Sequence, residues 1–203
     1  MYRLLHIFFV LLISGNSRAQ SVSPLLDKAV KAMYSEYKVF FDSSLLDDYI
    51  KLDTERTYYL LSTEQKIRSV KRELDGFVYD GFNLSFVMVY EGDTLTRMNA
   101  LIDTSMNIIP LGTPGNPRRH GDVLPPYLEL VKGNIGFNYK KLKGKMATMK
   151  ITIASTELHA WPNKNGKPGF AWKVISACPQ LDCRRIEVSA KNGKILADTD
   201  VKE

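Results

Sequence analysis

Hydrophobic positions along the chain change their spacing several times, and a similar order of spacings occurs in each half. The first half opens with apolar residues three to four positions apart, the spacing of a helix that buries one face: Leu26, Val30, Met33 and Tyr37. Runs rich in aromatic and aliphatic residues then predict strands at 57–61, 84–90 and 94–103, with a short return strand at 108–111. We therefore expect a helix followed by an antiparallel meander.

Two further segments of the first half have patterns of their own. Residues 41–49, FDSSLLDDY, are expected to break the regular structure. Residues 62–74 predict a second helix, because Ser62 and Gln65 have the spacing of a capping box. Apolar residues on one face support that helix: Ile67, Val70 and Leu74.

The second half repeats the order of helix and strands. Asn138 is a predicted helix cap, and the apolar residues after it share one face: Tyr139, Leu142, Met146 and Met149. Strands are predicted at 151–161, at 170–177 and 184–190 on either side of a loop, and at the end of the chain after Gly193. This half is again a helix followed by an antiparallel sheet.

The composition of residues 111–127 separates the two halves. This stretch, LGTPGNPRRHGDVLPPY, is rich in Gly and Pro, which is typical of a linker. It predicts an N-terminal α+β module at 21–110 and a C-terminal module at 128–203.

The two modules can be aligned without a gap at their last strands. Residues 97–109 lie over residues 184–196, and each stretch has an alternating strand, a polar turn and a short apolar strand. We therefore predict an α+β protein made of two small modules, each a helix packed on an antiparallel β-sheet, related by a degenerate duplication.

The N-terminal segment predicts export. A basic start, an apolar run at 4–13 and small residues before a cleavage point near Ala19 and Gln20 together have the form of a signal peptide at residues 1–20. The apolar run is too short to span a bilayer. The expected location is secreted or periplasmic. Removal of the signal segment takes away Arg3 and Arg18, so the formal net charge falls from +6 to about +4, a mild excess that in an exported protein does not point to nucleic acid.

Cys178 and Cys183 are the only cysteines, and four residues separate them. That spacing is neither the C-x-x-C of redox sites nor a repeated zinc pattern. Predicted strands flank the pair, so the cysteines face each other across a hairpin loop. In an oxidising compartment we expect a structural disulfide that contributes about 2 kcal/mol. A metal ligand and an exchanging redox pair are the alternatives.

The C-terminal end of the chain resembles a PepSY-type domain. That family pairs a helix with an antiparallel sheet, similar to the cystatin and protease-propeptide folds, and its last hairpin ends in a valine-aspartate pair, small or polar residues, Gly and two apolar residues. The matching positions here are Val188, Lys191, Gly193, Lys194, Ile195 and Leu196. Ser189 stands where the family usually has Asp. In the first half Asp103 is present, while Met106 and Asn107 occupy the turn in place of glycine. The resemblance implies a non-enzymatic exported domain of the kind that restrains peptidases.

Side chains able to carry catalysis are sparse. After the signal segment the histidines are His120, in the expected linker, and His159, in a predicted strand, and we expect both to be surface residues. A composite site of His120, Asp122 and His159 is the enzyme alternative. The acidic residues Asp42, Asp47, Asp48 and Asp53 lack the spacing of a calcium loop and are expected to form a solvated turn. We predict no catalytic residue, no metal and no cofactor.

The predicted function is binding of a protein, either a peptidase or an envelope protein, through a sheet face or edge. The strands at 84–90 and 170–176 are the candidate edges for β-augmentation. The rival is an accessory protein that binds anionic polymer or lipid through a basic helix, and an uncharacterised hydrolase is a second alternative. The candidate binding residues are Lys140, Lys141, Lys143, Lys145, Trp161 and Trp172.

Overall fold

The computed structural model describes residues 24–61, 67–70, 79–113, 116–162, 168–177 and 183–201. The expected signal segment lies outside these ranges. Within them the helices are α1 (Pro24–Tyr37), α2 (Ser43–Tyr49), α3 (Pro125–Val131) and α4 (Tyr139–Thr148). The strands are β1 (Ile50–Leu52), β2 (Tyr58–Leu61), β3 (Ile67–Ser69), β4 (Tyr79–Tyr90), β5 (Asp93–Asp103), β6 (Ile108–Ile109), β7 (Leu111–Thr113), β8 (Asn116–Arg118), β9 (Ile153–Pro162), β10 (Pro168–Ser176), β11 (Cys183–Ser189) and β12 (Ile195–Val201). The predicted α+β class is confirmed.

The N-terminal sheet has the order β3-β2-β4-β5-β6, and β1 also pairs with β4. The long β4–β5 hairpin forms its centre, and its turn at Glu91 and Gly92 has positive φ at both residues, as tight hairpins require. β1 and β2 lie on the same side of β4 and are separated by a 3-10 turn at Thr54–Arg56. The predicted meander is therefore confirmed, and the short strands β1 and β3 are added to the sheet on the β2 side.

The C-terminal sheet has the order β12-β11-β10-β9, and neighbouring strands are antiparallel throughout. Helices cover one face of each sheet. On the N-terminal sheet, the ring of Tyr37 in α1 packs edge-on against Phe86 at 5.3 Å. On the C-terminal sheet, Tyr139 of α4 packs against Trp172 at 5.8 Å. The predicted helix-on-sheet arrangement therefore occurs in both halves.

One continuous core joins the two halves, because buried side chains of α1 and β4 belong to the same cluster as those of α4, β10 and β11. The described part of residues 111–127 is not a bare linker, because it forms the paired strands β7 and β8, a 3-10 turn at His120–Val123 and the start of α3. Leu124 and Tyr127 belong to the core. Pro125 and Pro126 occupy the first helical positions, where no N–H donor is needed. Within this stretch, the 3-10 turn at His120–Val123 packs against the core, because His120 and Gly121 are buried.

Two predictions about the first half are wrong. The expected break at 41–49 contains α2, which Asp42 caps by accepting the backbone N–H of Ser44 at 3.0 Å. The predicted helix at 62–74 fails at Ile67–Ser69, which pair with β2 as strand β3. Pairing with a neighbouring strand outweighs local helix propensity at these positions. The rest of that predicted helix lies outside the described residues, apart from Val70.

Candidate functional site

Two sheet edges face each other at the junction of the halves. β6 pairs only with Leu101 and Ile102 of β5, which leaves the earlier part of β5 without a strand on that side. β9 is the edge of the C-terminal sheet, and among the described residues no ladder joins β5 to β9. A cleft of about 440 Å³ lies between them, lined by residues 94–97 and 154–157. This volume falls in the range of ligand-binding clefts, about 300–1,000 Å³.

Two buried tyrosines lie against the strands beside the cleft. The hydroxyl of Tyr127, in α3, accepts the backbone N–H of Leu158 at 3.0 Å and also hydrogen-bonds the side chain of Thr96. Burial raises the pKa of Tyr127 to about 12, so it stays protonated and can both accept and donate. Burial raises the pKa of Tyr139, in α4, and the nearby carboxylate of Asp93 raises it further.

β5 and β9 are close neighbours with no ladder between them in the described structure. Tyr127 lies against both strands, because its hydroxyl accepts the N–H of Leu158 in β9 and lies beside Thr96 in β5. Each of the two strands is antiparallel to the strand on its other side, β4 and β10 respectively.

Backbone groups on both edges point into the space between the strands. The N–H of Leu158 points away from β10, and strand alternation gives Thr156 the same direction. On β5 the carbonyl of Asn99 points away from β4 and meets His120, so the backbone of Arg97 also faces outward. Within the described residues, no backbone partner pairs with Thr156 or Arg97 on this side.

The charges on the rim of the cleft are already paired. Arg97 binds Asp53 at 3.3 Å, and Glu157 binds Lys173 at 3.1 Å. The other polar side chains on the rim are hydroxyls, from Thr94, Thr96, Ser155 and Thr156. The cleft is therefore polar without an unpaired charge among its described lining residues.

A second polar cluster lies on the outer face of the C-terminal sheet. Glu187 is 2% exposed, and its carboxylate accepts from His159 at 2.8 Å and from two nitrogens of Arg185 at 2.8 and 3.0 Å. The ring of His159 packs edge-on against Trp161 at 5.8 Å. No group of three or more His, Cys, Asp or Glu side chains suited to a metal occurs in the described part of the chain. The contacts of this cluster are those of a buried carboxylate held by partly exposed basic side chains, an arrangement that orders the sheet face.

The expectation that both histidines are surface residues is wrong for His120. His120 is 3% exposed, and its ring nitrogens lie 2.8 Å from the carbonyl oxygens of Asn99 and Ile109. Both contacts are hydrogen bonds only when the ring carries two protons. His159 is engaged with Glu187 instead. No contact within the described residues assembles His120, Asp122 and His159 into one site.

The candidate binding residues do not form one surface. Trp172 is fully buried and donates its indole N–H to the carbonyl of Phe137 at 2.8 Å, so its place in a binding surface is wrong. Trp161 lies on the opposite face of the sheet, partly exposed. Lys141 donates to the carbonyl of Gly136, and Lys143 binds Asp93 at 2.7 Å. Lys140 and Lys145 complete the predicted basic face, with Lys140 exposed.

The strands chosen as edges are also wrong. The predicted strands at 84–90 and 170–176 are parts of β4 and β10, which have partners on both sides. Their strong apolar patterns are those of central strands. The edges that face each other belong to β5 and β9, and they contain the hydroxyl-rich stretches TLT (94–96) and AST (154–156). Polar residues of this kind are typical of edge strands, and the sequence analysis did not use that signal.

Two other predicted features have partial outcomes. Two of the four acidic residues that were expected to form a solvated turn have structural roles. Asp42 caps α2, and Asp53 caps the 3-10 turn at Thr54–Arg56. Cys183 opens β11, whereas Cys178 lies outside the described residues. The Cys178–Cys183 bridge stays a prediction.

Comparisons with known proteins add no relative. No protein-family model matches the chain, and no curated protein sequence matches it. None of the helices in the described ranges is both long enough and apolar enough to cross a membrane.

Proposed function

We propose that this is an exported protein that acts by binding, and that its binding site is the cleft between β5 and β9. The occupant is an extended segment of another protein. The observation that carries the proposal is the pair of facing sheet edges whose backbone groups at Arg97 and Thr156 lack ladder partners. An unpaired edge is a template for an added strand, and natural proteins usually cover or charge such edges.

The other sheet edges are less suited to this role. β3 and β6 are only three and two residues long. β12 is longer but carries Asp198 and Asp200, and charges on an edge oppose pairing. Among the described strands, the cleft-facing stretches of β5 and β9 combine length with a neutral rim.

The basic-helix rival has less support. Two of its four lysines, Lys141 and Lys143, already hold the ammonium group against a carbonyl or a carboxylate. A polymer would have to compete with these contacts. The PepSY resemblance favours a peptidase as the partner, because propeptide domains of that kind act on peptidases. The hydrolase alternative needs a nucleophile beside a base, and the bonds of His120 and His159 are all to structural groups.

A cross-linking pull-down of the mature protein from its native envelope and medium tests the proposal. We would compare the wild type with Ala154→Trp, which fills the cleft from an exposed position, and with Ala147→Trp, at another exposed alanine on α4. Circular dichroism and thermal unfolding would first establish that both variants fold.

The expected result is a protein partner that resists high salt, is lost with Ala154→Trp and is kept with Ala147→Trp. A partner captured equally well by both variants would overturn the proposal. Recovery of only polymer or lipid, abolished by salt and by Lys140→Glu, would overturn it in favour of the basic helix.

A further inference from the structure

Each wall of the cleft carries an ion pair with a residue outside the cleft. Arg97 reaches over β4 to Asp53 at 3.3 Å, and Glu157 binds Lys173, its neighbour on β10, at 3.1 Å. Arg97 and Glu157 both line the cleft, yet in the described structure no ion pair joins them to each other. The two opposite charges at the rim are therefore held apart, one on each wall.

The residue that lines the cleft is the more exposed member of each ion pair. The side chain of Arg97 is 36% exposed against 16% for Asp53, and that of Glu157 is 46% exposed against 31% for Lys173. A molecule that enters the cleft therefore meets a cation on the β5 wall and an anion on the β9 wall. The rim has no net charge, but its two walls differ in sign.

Both charged groups keep hydrogen-bonding capacity for a ligand. Among the described contacts, the guanidinium of Arg97 uses one nitrogen, Nη2, although it has five N–H donors, and the carboxylate of Glu157 uses one oxygen, Oε2. A ligand carboxylate can therefore join Arg97, and a ligand ammonium can join Glu157, while Asp53 and Lys173 stay in place.

We infer that the segment bound in the cleft is dipolar, with an acidic residue against Arg97 and a neighbouring basic residue against Glu157. The inference rests on the proposed function and specifies the chemistry of its partner. Successive side chains of an extended chain point to opposite sides, so adjacent residues of one segment meet opposite walls. Such a segment lies along the mouth of the cleft and does not need to enter between the strands.

These contacts select the partner more than they hold it. Each exposed ion pair changes the affinity by about two- to five-fold. Because the rim and the segment are each neutral overall, high salt weakens binding by a similar factor and does not abolish it. This weak dependence on salt agrees with the salt-resistant partner that the proposed function predicts.

The probe is a blocked hexapeptide, Thr-Val-Glu-Lys-Val-Thr, with three relatives that carry Gln-Lys, Glu-Gln or Gln-Gln at the two central positions. Calorimetry would measure the Kd of each peptide for the wild type, Arg97→Gln and Glu157→Gln. Circular dichroism would first establish that the variants fold. The Kd values form double-mutant cycles between each peptide charge and each rim charge.

We expect the wild type to lose about two- to five-fold in affinity when the peptide Glu becomes Gln, and Arg97→Gln to lose nothing by the same change. The peptide Lys should depend on Glu157 in the same way. The crossed cycles, peptide Glu with Glu157 and peptide Lys with Arg97, are the matched controls and should show weaker coupling. Asp53→Asn keeps an oxygen to cap the 3-10 turn and should bind the peptide more tightly, because Arg97 loses its competing anion.

Equal coupling in the direct and crossed cycles would reduce the effect to net charge and overturn the inference. Weaker binding of the peptide by folded Asp53→Asn would also overturn it. A wild-type dimer that Ala154→Trp dissolves would make a second copy of the chain the occupant.

If no peptide binds, the partner from the pull-down decides the question. The inference requires that the double variant Arg97→Gln/Glu157→Gln recovers several-fold less of that partner than the wild type does. A partner that the double variant keeps and Ala154→Trp loses would reject the dipolar segment and leave the proposed function standing. The proposed function itself fails if the partner ignores Ala154→Trp.

Discussion

Met106 and Gly193 occupy matching positions in two hairpin turns, and both have a left-handed backbone, with φ of 66° and 74°. Met106 lies between β5 and β6, and Gly193 lies between β11 and β12. Setting residues 97–109 over 184–196 pairs these two residues, so the backbone geometry recurs although the residue types differ. A methionine in this conformation costs about 1 kcal/mol relative to glycine. The recurrence is what a duplicated hairpin with a diverged sequence would leave.

Replacing Gly193 with alanine should destabilise the protein by more than its backbone conformation alone would cost. A Cβ at this position would lie 2.4 Å from the ring of Phe137, in addition to the positive φ. Gly92→Ala is the matched control, because Gly92 has a φ of 84° and open space around its Cα. We expect about 1 kcal/mol for Gly92→Ala and about 2–3 kcal/mol for Gly193→Ala, measured by urea unfolding. Equal costs would show that Phe137 moves aside freely.

The middle of α4 and the turn that follows it offer a pair of stabilising changes. Gly144 is a helical glycine where an added Cβ would meet no heavy atom within 4 Å outside its own helix turn, whereas Lys150 has a φ of 57° just after the helix. The N–H groups of Lys150 and Ile151 bond to the carbonyls of Ala147 and Met146, a Schellman motif that favours glycine at Lys150. Gly144→Ala and Lys150→Gly should therefore each stabilise the protein by about 0.5–1 kcal/mol.

The measurement is the midpoint of urea unfolding at constant slope, and the two gains should add because they act through different residues. Ala147→Gly is the control for Lys150→Gly, since it places glycine within the helix and should lose a similar amount. A stabilising effect of Ala147→Gly would contradict the helix-propensity argument.

Elements with strong local signals were predictable from the sequence. The apolar stripe from Leu26 to Tyr37 predicted α1, and Asn138 predicted the start of α4, where its side chain accepts the N–H of Lys141. α2 was missed because a helix of seven residues is too short to show a periodic pattern of apolar positions. Ile67 followed a helical spacing, but its environment is set by β2, a neighbour that periodicity within the segment cannot represent.

The candidate site depends more than the helices and strands do on contacts between residues that are far apart in the sequence. Tyr127 was assigned to the end of a linker, and its hydroxyl lies between Thr96 and Leu158, one from each half of the chain. No local pattern carries that relation. His120 was likewise placed on the surface because its neighbours are Gly, Arg and Asp, although its ring binds β5 and β6. Only the pairing of distant strands creates these positions.

The turn after β5 should make stability depend on pH in the acid range. The pKa of Asp103 lies below its usual range, chiefly because the Asn107 side chain donates to its carboxylate and also because the Asn107 backbone N–H does. Folding therefore favours the charged form. This stabilisation is complete above the unfolded pKa of about 3.9 and is lost as the pH falls through the lower folded value.

The test compares the free energy of unfolding of the wild type and Asp103→Ala from neutral pH to pH 3. The difference should stay constant above about pH 5 and shrink as the pH falls below about pH 4. In an Asn107→Ala background the difference should depend less on pH, because the main donor is gone. A difference that grows toward acid pH would contradict the assignment.

The two histidines should differ sharply in their contribution to stability. His120 is buried and links the 3-10 turn to β5 and β6 through Asn99 and Ile109, so His120→Ala removes two buried contacts and leaves a cavity. We expect a loss of about 2–4 kcal/mol. His159 is 28% exposed, and its partner Glu187 keeps Arg185, so His159→Ala should cost at most about 1 kcal/mol. Urea unfolding of both variants provides the comparison.

The same pair of variants separates structure from catalysis. If the histidines are structural, the loss of activity or binding in His120→Ala should be proportional to the fraction of the variant that is unfolded. The activity or binding should return at a lower temperature, where the variant folds. His159→Ala should keep the binding of the wild type, because His159 lies on the outer face of the sheet and none of its contacts reaches the lining of the cleft. A folded His159→Ala protein that loses a measurable hydrolytic activity would instead establish the enzyme alternative and remove the binding proposal.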